Sequence, residues 1–162
     1  MASQHTGYWN GLRTVRDYWQ ASMNLLGEDP ALNLQDAAWP IRTQSEVRPP
    51  TCIATGAMVS HSLLCEGCII DGTVEYSLLS PGVHVAPGAV VRHAVVMHDA
   101  TIEEGAVVDN AILDTEVTVG WHARVGMAHR HAPTLGVSIP DQLTVIQAGT
   151  CVPAQETVVT HW

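Results

Sequence analysis

The chain has 162 residues, with 16 Asp and Glu against 7 basic side chains, all of them Arg, and a net charge of −9 with His neutral. That balance excludes nucleic acid and anionic membrane surfaces as partners, because both demand a cationic face. No apolar run nears the roughly 20 residues of a membrane span. The N-terminus lacks the basic and apolar parts of a secretion signal, so the 4 Cys read as reduced thiols of a cytoplasmic protein.

The first predicted element is a helix over about 14–26. Val15, Tyr18, Trp19, Ser22, Met23 and Leu26 recur at the spacing of one helical face. Thr14 is placed to cap it, and Gly27 with Pro30 ends it. The wide apolar face requires a packing partner. An extended connector follows to Pro49-Pro50, with a short strand expected around Pro40–Thr43. Residues 1–51 are therefore read as helix and connector.

From residue 52 the chain repeats itself. Ile53, Ile70, Val85, Ile102 and Val119 each open a similar segment, 17, 15, 17 and 17 residues apart. Val59, Val74, Val91, Val108 and Val125 form a second column, and Cys65, Ser80, Met97 and Asp114 a third. A full period divides into six, six and five residues, hence three short strands per turn. Equivalent residues then stack at roughly 4.8 Å per coil. The expected fold is mostly β: a left-handed parallel β-helix of hexapeptide-repeat type, about four to five coils over 52–130. The left hand rests on the six-residue repeat, since the general rule for parallel crossovers favours the right.

In this scheme the aliphatic corners from Ile53 to Val119 point inward, as do Leu63, Leu78, Val95 and Ile112. Ala57, Ala89, Ala106 and Ala123 must be small, and Gly56, Gly88 and Gly105 take the corner conformation that a side chain disfavours. A loop is expected over about 127–136. Strands at Leu143–Ile146 and Thr157–Thr160 lie within a C-terminal cap, 131–162, that covers the last coil.

The motifs Gly7-Tyr8-Trp9, Asn33-Leu34, Trp39-Pro40-Ile41-Arg42-Thr43, Ser80-Pro81-Gly82-Val83 and Asn110-Ala111-Ile112-Leu113-Asp114 occur in this order on the repeat. In them the chain resembles the C-terminal domain of ADP-glucose pyrophosphorylase (glucose-1-phosphate adenylyltransferase), over nearly its whole length. The resemblance implies a role in tetramer assembly and allosteric coupling in glycogen biosynthesis, in a cytoplasmic homo-oligomer or beside a separate catalytic subunit. The family's catalytic domain, which uses magnesium and ATP, has no counterpart here. Where the family has Tyr-Trp-x-Asp-x-Gly-Thr, Gly11 replaces the Asp understood to help hold magnesium, and Gly offers that hard cation no side-chain oxygen. The chain by itself is therefore expected to be inactive and to need no cofactor. If the family's catalytic domain is missing, Trp19 and Met23 are expected to form an exposed patch.

Phosphorylated effectors in such a family would need cations, so Arg42, Arg48, His84 and Arg92 are the candidate effector-binding residues, with Arg124 in reserve. His84 stands where the family often has Arg. An alternative reading takes His61, His93 and His98 as zinc ligands of a β-helix carbonic anhydrase type. Against it, His61, Tyr76, His93 and Asn110 share one column and read more simply as an outward polar ladder. A hexapeptide acyltransferase would use His93, His98 or His122 as base. Cys65-x-x-Cys68 is half a zinc motif whose second half is missing, and Cys68 aligns with the wall residue Val83.

Overall fold

A computed structural model describes residues 7–34, 36–38, 40–41, 47–126 and 143–159. Helix α1 runs Val15–Asn24 behind a capping box. Thr14 Oγ1 accepts from the Asp17 N–H at 3.1 Å, and Asp17 Oδ2 accepts from the Thr14 and Arg13 N–H groups at 2.9 and 3.1 Å. Three backbone donors at the helix start are thereby satisfied by contacts within four residues of sequence. Pro40 and Ile41 lie in no strand; the rest of the strand expected there, and the loop expected at 127–136, fall outside the described residues.

The remainder is a three-sided parallel β-helix of the hexapeptide-repeat type, with faces of six, six and five strands. On the first face Ile53, Ile70, Val85, Ile102, Val119 and Val152 pair in register. The second face stacks Val59, Val74, Val91, Val108, Val125 and Val158. Both columns line the core, together with Ala89, Ala106 and Ala123 where the walls converge. The strands expected in the tail are Thr144–Ile146 and Thr157–Val158. With Cys151–Val152 they pair in parallel with the turn before, and so extend the solenoid.

The third face corrects the sequence reading. Its inward column is Leu64, Leu79, Val96, Leu113 and Ile146. Leu63, Leu78, Val95, Ile112 and Val145 are instead the outer side of that face, and α1 lies on them through Trp19, Met23 and Leu26. Adjacent residues of a strand point to opposite sides, so the doublets Leu63-Leu64, Leu78-Leu79, Val95-Val96 and Ile112-Leu113 supply both surfaces at once. Trp19 and Met23 are accordingly buried, not the exposed patch expected of them. The indole Nε1 of Trp19 also donates to the His93 carbonyl at 2.8 Å, fixing the helix along the face.

Candidate functional site

Most corners of the solenoid use the left-handed backbone region. At the corner between the first and second faces Gly88 and Gly105 supply it, as anticipated. At the corner between the second and third faces His61, Tyr76, His93 and Asn110 all have φ between 44° and 51°. Such a conformation costs a non-glycine residue roughly 1–2 kcal/mol. The rings offset part of this by stacking. His61 and Tyr76 lie 4.6 Å apart and Tyr76 and His93 5.6 Å apart, tilted by 6° and 8°, and such pairs contribute about 0.5–1.5 kcal/mol each.

That stack decides how the zinc alternative stands. Tyr76 intervenes between His61 and His93, and His98 sits at the other edge of the third face, beside Asp99. The three imidazoles are not brought together, and no group of three or more metal-ligating side chains converges among the described residues. Cys68 is fully buried in the wall and directs its thiol at the Ser80 carbonyl, 3.3 Å away, while Cys65 is exposed. Desolvation, complete around Cys68 and partial around Cys65, raises both thiols above the ordinary range, which disfavours the thiolate that would act as nucleophile or ligand.

The candidate effector cations are also dispersed. Arg42 lies outside the described residues. Arg48 leaves the connector, passes over Gly67 and Gly82, and grips Asp99 with both Nη atoms at 2.5 and 2.9 Å. A Cβ on residue 82 would collide with that guanidinium and carboxylate, so the glycine makes room for the ion pair. Arg92 pairs with Glu75 at 2.9 Å on the second face, and His84 Nε2 stands 3.7 Å from Asp71 on the first. An anion would have to compete with a carboxylate at each of these three positions. Arg124 is exposed on the second face.

The Arg48 hydrogen bond holds the Asp99 carboxyl below the usual range, and the Thr14 hydroxyl does the same for Asp17. Both groups therefore stabilise the fold above the unfolded carboxylate pKa of about 3.9, and that contribution is lost as pH falls through their lower folded values. Carboxyl titration by NMR should show both midpoints depressed. Arg48→Met should return Asp99 toward the ordinary range and leave Asp17 unmoved; an unchanged Asp99 midpoint would contradict the assignment.

A different surface stands out by exposure. Ile70, Val85, Ile102 and Val119 are fully buried, yet Ile53, first in the same column, is 52% exposed. Met58, on the outer side of the second face in the same turn, is 63% exposed, and Ala57, Val59 and Leu64 are only partly covered. Residues 51–65 contain no Asp, Glu, Lys or Arg, in a chain whose net charge is −9. Among the described residues the first turn is thus an apolar end, without charge over 51–65, whose strands pair on one side only. Sequence reading placed Ile53 inside with its column; the signal that it differs is its position, because nothing in the repeat precedes it.

A family model described as GlmU-like, C-terminal hexapeptide matches residues 50–150. A glucose-1-phosphate adenylyltransferase of Acetivibrio thermocellus is 35% identical over 160 residues, 98% of this chain and 36% of the relative. Proteins of that name from Clostridium perfringens and Bacillus thuringiensis are 41% and 43% identical over 103 and 102 residues, covering 64% and 63% of this chain and 26% and 27% of the relatives. The chain spans about a third of the length, or less, of the curated relatives it matches. Among the described residues no helix is long and apolar enough to cross a membrane.

Proposed function

Because the chain belongs to the GlmU-like, C-terminal hexapeptide family, we propose that it is the non-catalytic assembly and allosteric module of a glucose-1-phosphate adenylyltransferase, the name its relatives carry. In this role it works in the cytoplasm, binds copies of itself, and takes no metal or cofactor of its own. Magnesium, ATP and glucose 1-phosphate belong to a catalytic domain, in the same polypeptide or in another chain.

The observation that carries the proposal is the open first turn. Two copies meeting end on would bury Ile53 together with the partly covered Ala57, Val59 and Leu64, and the absence of charge over 51–65 spares the contact itself from like-charge repulsion in a chain of net charge −9. The three strands of each first turn would also gain backbone partners. Burying an unpaired carboxylate costs about 3–5 kcal/mol. Ile53→Glu should therefore weaken self-association at least about a hundredfold, with Thr157→Glu on the last described strand as the control that leaves it intact. Sedimentation velocity reads both. A wild-type chain that stays monomeric throughout the accessible concentration range would end the proposal. The homogeneous chain should make no ADP-glucose from ATP and glucose 1-phosphate, and turnover would remove the non-catalytic half.

A further inference from the structure

We propose that Asn10 is a modification site at which the chain converts itself, by attack of the Gly11 backbone nitrogen on the Asn10 side-chain amide. Asn10 is exposed, and residues 8–13 belong to no helix or strand. Among the described residues the amide nitrogen Nδ2 makes one long contact, 3.4 Å, with the Tyr8 hydroxyl. No hydrogen bond among the described residues engages the Gly11 N–H, so no described acceptor holds its proton in place. Gly11 carries no Cβ beside the attacking nitrogen, and its backbone can turn to bring that nitrogen onto Cγ.

The step balances without a cofactor. The Gly11 nitrogen gives up its proton to a water-borne base and bonds to Asn10 Cγ, closing a five-membered succinimide. The Cγ–Nδ2 bond breaks, and the departing nitrogen takes up a proton from water and leaves as ammonia. Water then opens the ring at one carbonyl or the other, leaving aspartate or isoaspartate. The other described asparagines are set against this chemistry. Asn24 lies in α1 before Leu25, Asn33 precedes Leu34, and Asn110 is buried before Ala111. Each attacking nitrogen there stands beside a Cβ.

The product places a carboxylate near the start of α1, where the helix favours negative charge. In its isoaspartyl form it lengthens the main chain next to Trp9, which is 73% exposed. The setting can thus remodel the Trp9 and Leu12 surface without moving the solenoid.

The experiment incubates the full chain at mildly alkaline pH and maps amide-to-acid conversion by peptide mass spectrometry, with isoaspartyl methyltransferase labelling as the second readout. Asn10 should convert before any other asparagine. Gly11→Ala should slow it roughly tenfold, a barrier change of about 1.4 kcal/mol. Because an added Cβ would come within 3.1 Å of the Trp9 ring, Asn10→Gln serves as a second variant that leaves Gly11 alone and should abolish the isoaspartyl signal. Faster conversion at Asn24 or Asn33, or a signal undiminished in Asn10→Gln, would overturn the assignment.

Discussion

Replacing Gly72 with Ala is expected to destabilise the protein by about 3 kcal/mol, the upper end of the usual cost of overpacking. A Cβ there would point into the next turn, against the carbonyl oxygens of Ala89 and Ala86, and would meet Val85 Cγ1 at 3.1 Å. These are backbone atoms held in the ladder: Thr73 N–H donates to Ala89 O at 2.8 Å, and Met58 N–H donates to Gly72 O at 3.1 Å. Neither can retreat without breaking a pairing. The cause is visible in the spacing. The coil opened by Ile70 is two residues shorter than those that follow, so its backbone cuts the corner close to its neighbour. The melting temperature should fall by roughly 10 °C. Gly56→Ala is the control. Its φ of +99° strains Ala, but nothing lies within 4 Å, so the loss there should be about 1–2 kcal/mol. Equal losses at the two sites would show that the collision is not what matters.

Trp19→Ala should cost about 3–5 kcal/mol, as expected for removing a large buried aromatic. Trp19 is fully buried between α1 and the third face, and its indole donates to the His93 carbonyl. Without it the helix loses its main anchor and uncovers Leu78, Val95 and Ile112. Denaturant titration reads the stability, and dye binding to the bared face reads the cause. Trp19→Phe divides the effect: the ring retains packing and forfeits one hydrogen bond, worth about 1 kcal/mol. If Trp19→Ala leaves both stability and dye binding unchanged, the helix is not seated as described.

Much of this architecture is legible in the residues. The first two faces follow from columns at nearly constant offsets, in which Met58, Thr73, Arg124 or Thr118 beside the column residue marks the outer side in some turns and so orients the doublets Ile69-Ile70, Val90-Val91 and Val107-Val108 in others. Thr14 marks the N-cap in the sequence, and the structure adds Asp17 as its capping-box partner. The third face resists because its strands carry two aliphatics in a row, and periodicity cannot say which one faces inward when both are buried. The resolving fact is where α1 lies, and that is a long-range contact with no local trace. The pairing of Arg48 with Asp99 escapes for the same reason, so an arginine read as a free cation is held in a bidentate ion pair. Tyr76 between His61 and His93 was legible as a shared column, though not as a stack, since stacking depends on side-chain angles that spacing does not encode.

Arg48 has one more implication, for how such a solenoid can change its length. The arginine reaches from the entry of the β-helix across the corners at Gly67 and Gly82 to Asp99. One whole coil added within that stretch would carry the carboxylate up by roughly 4.8 Å, beyond the grasp of the guanidinium. A single side chain thus acts as a gauge for the first three storeys of the tower. New storeys can be inserted without breaking that clasp only above it.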